Sequence, residues 1–129
     1  MNEVSLIRQL MSAQTGTREL DLEAAKIIGW TTQVSRVTDK SGRPIERISW
    51  MLPNADNVTG KVPDYTTNIN AARQFAEAIC PNHIGGCSWE PGEGTAKIND
   101  GPYIKARTPA LALCIAALWA KIKKERPSN

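Results

Sequence analysis

The sequence has few residues that could build a disulfide framework or a metal site. Its 129 residues include three cysteines and one histidine. An odd number of cysteines leaves at least one thiol unpaired, which argues against a disulfide framework and indicates a reducing compartment. Residues 1–8 carry charged side chains where a signal peptide would carry an apolar core. These features predict a cytoplasmic protein.

The sequence also lacks a large excess of charge and a long apolar segment. Sixteen basic and thirteen acidic side chains give a net charge of +3, which is too small to indicate a nucleic-acid partner by itself. The apolar run over residues 110–120 is well short of the roughly 20 residues that span a bilayer. Neither a membrane nor a nucleic acid is therefore expected as a partner.

The apolar run belongs to a segment, residues 108–124, that has the signals of a helix. Thr108 is a suitable N-cap, because its hydroxyl can accept a hydrogen bond from a free amide of the first turn. Pro109 follows at the first helical position, where its missing N–H costs nothing. A helix this short with no polar face along most of its length is a buried core helix. The remaining elements are therefore expected to cover it.

The rest of the chain alternates helical and strand patterns without a linker or an internal repeat, which predicts one domain over residues 1–129. Three further helices are expected: over 3–13, from a Thr17 cap to Gly29, and from a cap at Thr66 or Thr67 to Cys80. Strands are expected over 32–38 and 45–52, in a second hairpin over 84–89 and 95–98, and at an edge over 103–106. The order α-α-β-β-α-β-β-α predicts an α+β protein whose helices pack on an antiparallel sheet of about four strands.

Alternation within the strand over 45–52 indicates how its two faces are covered. Ile48, Trp50 and Leu52 fall on one face, and Arg47 and Ser49 fall on the other. This pattern predicts one covered face and one exposed or lightly covered face.

Several segments, in their order along the chain, resemble a known family. They are Gly-Thr-Arg-Glu-Leu-Asp at 16–21, Gly-Trp at 29–30, Pro-Asp-Tyr-Thr-Thr-Asn-Ile-Asn-Ala-Ala at 63–72, Trp89, and Thr-Pro-Ala-Leu-Ala-Leu-Cys-Ile-Ala-Ala-Leu at 108–118. The chain is similar in these segments to the phage ABA-sandwich domain proteins, which are small proteins of tailed phages and prophages. The resemblance implies a three-layer α/β/α sandwich, a phage origin and a place in the host cell cytoplasm. It implies little about activity.

Two predicted helix starts are candidate binding sites for a small anion. The candidate residues are Tyr65, Thr66 and Thr67 before the third helix, Arg107 and Thr108 before the fourth, and Trp89. The free amides and the dipole at a helix N-terminus favour anions, and side-chain donors stand beside them here. The aromatic faces of Tyr65 and Trp89 could stack a base. The alternative is that the threonines simply cap their helices.

Cys80, His83 and Cys87 have a spacing that can occur in zinc sites. Zinc requires four ligands in a closed tetrahedron, and the sequence offers no obvious fourth ligand here. Ordinary packed thiols and a surface histidine are the simpler interpretation. No metal, no cofactor and no catalytic residue is predicted.

The leading hypothesis is a non-enzymatic phage accessory protein that binds a small anionic ligand or a host protein. Its sharpest form is a sponge that sequesters a nucleotide-type immune signal and thereby counters host defence. The alternative is a nucleic-acid-associated or replication accessory protein that uses the basic tail, residues 121–126. A third hypothesis is an enzyme with a site around Cys80, His83 and Glu90. A homo-oligomer is compatible with all three hypotheses.

Overall fold

Residues 2–125 are described by the computed structural model, and they form four helices and five strands in the order α-α-β-β-α-β-β-β-α. The helices are α1 (Glu3–Ser12), α2 (Arg18–Ile27), α3 (Ile69–Ile79) and α4 (Pro109–Glu125). The strands are β1 (Thr31–Thr38), β2 (Pro44–Met51), β3 (Gly85–Glu90), β4 (Glu93–Ile98) and β5 (Ile104–Ala106). The predicted α+β class, with antiparallel hairpins and packed helices, is confirmed. No helix in the described range has both the length and the apolar character needed to cross a membrane.

Local capping signals set the ends of the helices. The Thr17 hydroxyl accepts a hydrogen bond from the Leu20 amide at 3.2 Å, and the Thr108 hydroxyl accepts one from the Leu111 amide at 3.2 Å. Both N-caps agree with the prediction. Helix α2 ends just before Gly29, whose φ of +105° lies in the left-handed region that glycine adopts without strain.

Helix α4 lies at the centre of the fold, as its apolar run predicted. Nine consecutive residues, 110–118, are buried. Helix α4 contacts β3, β4 and β5, and it also contacts α3 and α1. Within the described chain α1 and α3 make no comparable contact with these strands, so α4 separates the strands from the helices. The order of layers therefore differs from the α/β/α order that the resemblance implied, because a helix that is apolar all round has to be covered on every side.

The five strands form two sheets rather than one sheet of about four strands. β3, β4 and β5 form an antiparallel sheet in that order, and β1 and β2 form a separate hairpin. In β4 the residues Gly94, Ala96 and Ile98 are buried on the side of α4, and they alternate with half-exposed residues on the outer face. The predicted edge strand over 103–106 is β5.

The β1–β2 hairpin differs from the prediction of one covered face. Ile48, which was expected on that face, is 63% exposed, and Val34 opposite it is 57% exposed. Within β2 only its end reaches the core, where Trp50 and, just after the strand, Leu52 are partly buried. The β3–β4–β5 sheet, α1 and α3 already cover α4. The other apolar residues of β2 therefore find no apolar surface to pack against within the described part of the chain.

Replacing Ile115 with alanine is expected to lower the free energy of unfolding by about 2–5 kcal/mol, as buried large-to-small changes do. Ile115 is 1% exposed and lies in the middle of α4, and its β-branched side chain is held in one helical rotamer. Trp119→Ala is the comparison variant. It should lower the free energy of unfolding by less than Ile115→Ala does, since Trp119 is 45% exposed. Denaturant midpoints of the two variants measure the difference. A nearly neutral Ile115→Ala beside an unfolded Trp119→Ala would show that the orientation assigned to α4 is wrong.

Candidate ligand-binding site

Thr66, a predicted ligand contact, is part of a buried polar cluster. Its amide donates to Asp21 Oδ1 at 2.8 Å, and its hydroxyl lies within hydrogen-bond distance of the same oxygen. The Thr17 amide donates to the Thr66 hydroxyl at 3.1 Å. Asp21 is 1% exposed, and its Oδ2 accepts from the Arg18 guanidinium at 3.1 Å. The polar groups of Thr66 are therefore bound by the protein itself and are not offered to a ligand.

Tyr65 is a core residue and not an exposed aromatic face. It is 4% exposed, and its ring centroid lies 5.6 Å from that of Phe75. The Tyr65 hydroxyl accepts from Trp30 Nε1 at 3.1 Å, and burial raises the pKa of this hydroxyl above its usual value. The Tyr65 carbonyl accepts from the Cys114 thiol of α4 at 3.2 Å. Tyr65 thus attaches the preceding loop to α4, and its ring is not available for stacking a base.

Helix α3 starts later than predicted, and its N-cap is Asn68 instead of Thr66 or Thr67. The Asn68 side chain accepts from the Ala71 amide at 3.1 Å. The amides of Thr67 and Asn68 both donate to the Asp64 carbonyl in the turn before the helix. Asparagine is a stronger N-cap than threonine, and the Thr66 hydroxyl is already engaged with Asp21. Thr67 remains exposed at this turn.

The start of α4 is covered by the sheet. A Cβ built on Gly94 would lie 2.2 Å from the Pro109 nitrogen, so only glycine allows β4 to approach the helix this closely. Trp89 pairs with Gly94 across the β3–β4 ladder and is 72% exposed. Trp89, Arg107 and Thr108 therefore lie near one end of the sheet, while the other three predicted contacts belong to the loop before α3.

This end of the sheet carries two carboxylates, which disfavour a bound anion. Glu90 and Glu93 face each other across the β3–β4 turn, and the hydrogen bond to Glu93 together with its charge raises the pKa of Glu90. Lys105 Nζ lies 3.9 Å from Glu93 Oε1. Arg107 lines a shallow depression of about 420 Å³ together with Glu93 and Lys105. The mixed charge of this depression gives it no strong preference for a phosphate.

The outer face of the β3–β4–β5 sheet holds an open groove of about 410 Å³ that was not predicted as a site. Pockets of roughly 300–1,000 Å³ are typical for small ligands. The floor is formed by two small residues of β3, Gly86 and Ser88. They lie opposite Lys97 and Thr95 of β4, respectively. A Cβ built on Gly86 would meet no atom within 4 Å, so the space above β3 is open.

Lys97 and Tyr103 place a cation and an aromatic ring in the lining of this groove. Lys97 Nζ lies 4.8 Å from the centroid of the Tyr103 ring, a distance suited to a cation–π interaction. Tyr103 is 72% exposed, and Ile84, the other large apolar side chain of the lining, is 81% exposed. Asn99 holds Ile84 in place by two hydrogen bonds, because its amide donates to the Ile84 carbonyl and its side chain accepts from the Ile84 amide.

The only sequence signal for this groove is the alternation along β4. Thr95 and Lys97 alternate with the buried residues Ala96 and Ile98, which places the first two on the outer face. That Gly86 faces Lys97 depends on the register of β3 with β4, which no local pattern specifies.

Cys80, His83 and Cys87 lie in different surroundings. Cys80 is buried at the end of α3, and burial raises the pKa of its thiol. His83 Nδ1 lies 2.9 Å from the Cys80 carbonyl oxygen and 3.3 Å from Glu77 Oε2. Cys87 lies opposite Ala96, so it belongs to the α4 side of the sheet. Among residues 2–125 no group of three or more histidine, cysteine, aspartate or glutamate side chains is placed to hold a metal ion.

Comparison with protein-family models, with curated proteins and with solved structures gives no match to this chain. The groove is therefore interpreted from its own geometry and chemistry.

Replacing Thr66 with valine is expected to lower the free energy of unfolding by about 1–3 kcal/mol, because the buried Asp21 carboxylate loses a hydroxyl donor while the side-chain shape is kept. Thr67→Val is the matched control at an exposed position and should stay within about 0.5 kcal/mol of the parent protein. Chemical denaturation of both variants measures the difference. Equal effects at the two positions would contradict the structural role assigned to Thr66.

Proposed function

We propose that this protein is a non-enzymatic accessory protein of a tailed phage that binds a small anionic ligand of nucleotide type. The ligand occupies the groove on the outer face of the β3–β4–β5 sheet. The protein acts as a sponge that withdraws an immune signal from the host cytoplasm. The observation that carries this proposal is the Lys97–Tyr103 pair beside a floor of small residues.

The groove combines the two chemical features that a nucleotide requires. The Lys97 ammonium has three N–H donors, so it can bind a phosphate oxygen while it stays next to the Tyr103 ring. An exposed tyrosine ring offers a face on which a base can stack. The small floor at Gly86 and Ser88 leaves room for a flat ring system close to the strand backbone.

The side chains that line the groove favour sequestration over catalysis. Within the described residues that line the groove there is no carboxylate and no imidazole, so no such base stands beside Ser88 or Thr95 to activate a nucleophile.

The thiols of Cys80, Cys87 and Cys114 are all free, which suits the reducing cytoplasm of a host cell. The phage origin rests on the resemblance of residues 16–21, 63–72 and 108–118 to the ABA-sandwich domain proteins.

The alternative, a nucleic-acid-associated or replication accessory protein, relied on the basic tail. Lys121, the first residue of that tail, is engaged with Glu3 at 2.8 Å and also with Glu125, and both carboxylates raise the pKa of the lysine. Arg126, at its other end, lies outside the described residues. Two carboxylates therefore offset the charge of Lys121, and the part of the tail that the structure describes has less free positive charge than its sequence indicates.

A thermal-shift panel of cyclic mononucleotides, cyclic dinucleotides and linear nucleotides is expected to contain at least one strongly stabilising compound. A ligand at a hundred times its dissociation constant adds about 2.7 kcal/mol to the free energy of unfolding. Lys97→Gln should lose most of this stabilisation, because the phosphate loses its cation. Lys61→Gln is the matched control, since Lys61 is an exposed lysine of the loop after β2 that does not line the groove.

A flat panel would overturn the proposal of a nucleotide sponge. Stabilisation that is equal in Lys97→Gln and in Lys61→Gln would place the ligand outside the groove.

A further inference from the structure

The β1–β2 hairpin has no covering element among the helices and strands that the structure describes. Val34, Ile45 and Ile48 are 57%, 42% and 63% exposed. Beyond a single bridge between Met51 and Thr59, the described chain offers no third strand to the hairpin. An isolated two-stranded hairpin is marginally stable in water, and a third strand or a packed helix is needed to stabilise it. The hairpin thus has apolar surface and backbone groups that no other element among residues 2–125 covers.

The free edge of the hairpin is β1. The Trp50 carbonyl accepts from the Gly60 amide, so the backbone groups of Trp50 point away from β1. Opposed antiparallel residues share this orientation, so Thr32, the partner of Trp50, directs its N–H and C=O to the free edge of β1. Val34 and Arg36 do the same by the two-residue period of a strand. Natural edge strands are usually protected from further pairing by charged residues or proline. β1 has no proline, and Arg36 is its only charged residue.

We infer that β1 pairs antiparallel with β1 of a second copy, about a two-fold axis at Val34, so that the two hairpins form one four-stranded sheet. In this register Val34 faces Val34 of the second copy, and each Val34 is flanked by Ile48 of its own hairpin. A row of four apolar side chains then crosses the sheet. The outward backbone groups of both β1 strands are hydrogen-bonded to each other.

The neighbouring rows match as well, which identifies the occupant as a second copy. Arg36 stands beside Glu46 of its own hairpin and opposite Thr32 of the second copy, so like charges do not face each other. Moving the axis to Ser35 would place Val34 opposite Arg36, an apolar side chain against a charge. Only the axis at Val34 combines these matched rows with pairing over most of β1.

Two-fold pairing also closes the assembly. Pairing of β1 with β3 of another copy would be a heterologous contact, and such contacts build open filaments unless their rotation closes a ring. In the two-fold contact the free edge of β1 is paired in both copies, so neither copy keeps an open β1 edge. The contact uses no strand of the β3–β4–β5 sheet, which holds the groove.

Mass measurement by light scattering or sedimentation at high micromolar concentration tests the inference. The parent protein should have twice the chain mass of 14.1 kDa. Val34→Lys should have the single mass, because two lysines would face each other on the axis. Val4→Lys is the matched control, since Val4 is a 42% exposed valine of α1, and it should keep the double mass.

Two single cysteine variants, Val34→Cys and Ile48→Cys, test the register of the β1–β1 pairing. Val34→Cys should form an intermolecular disulfide under mild oxidation, because Cα atoms of a hydrogen-bonded pair lie about 5.5 Å apart, within disulfide range. Ile48→Cys lies on the same face but three strand spacings, about 14 Å, from its counterpart, so it should not cross-link. The parent protein, with its three native thiols, serves as the blank.

Three results would overturn the inference. These are a parent protein of single mass, a Val34→Lys variant that keeps the double mass, and cross-linking that is equal at positions 34 and 48. A monomeric parent whose hairpin binds duplex DNA in a salt-dependent manner would assign the hairpin to nucleic acid instead.

Discussion

The buried carboxylate of Asp21 is the interaction on which the arrangement of this fold depends. A buried charge without partners would cost several kcal/mol, so Asp21 has to be surrounded by donors. Its main partner, Thr66, is 45 residues away in the loop before α3, and Arg18 supplies a further donor from α2 itself. Gly16 makes this contact possible, because a Cβ there would lie 2.1 Å from the Thr66 carbonyl oxygen. The loop held in this way carries Tyr65, whose carbonyl accepts from Cys114 of α4.

This network also explains why the two helix starts are poor ligand sites. The amide and hydroxyl of Thr66 are hydrogen-bonded to Asp21, and the Thr108 hydroxyl accepts a hydrogen bond from the first turn of its own helix. Hydrogen-bonding groups that have protein partners have little left to offer a ligand. Lys97 and Tyr103 differ in this respect, because they contact each other on an open face of the sheet and remain accessible. Lys97 and Tyr103 therefore offer a ligand an accessible cation and an accessible aromatic ring side by side on the sheet.

Local patterns predicted the parts of the structure that depend on neighbouring residues. The apolar run of α4 and the caps at Thr17 and Thr108 need only nearby partners, and they were predicted correctly. The role of Thr66 could not be predicted, because a capping threonine and a threonine bound to a distant carboxylate look the same in sequence. The division of the strands into two sheets and the groove at Lys97 depend on long-range pairing in the same way.

An amide chemical-shift titration with the most stabilising nucleotide tests the assignment of the ligand site most directly, because it reports on backbone amides throughout the chain at once. If the ligand lies in the groove, the largest shifts should occur at Gly86, Thr95 and Lys97 on the outer face of the sheet. The amides of Thr67 and Leu111, at the starts of α3 and α4, should change little. Large shifts at those two amides with an unchanged sheet would contradict the assignment and return the site to the helix starts.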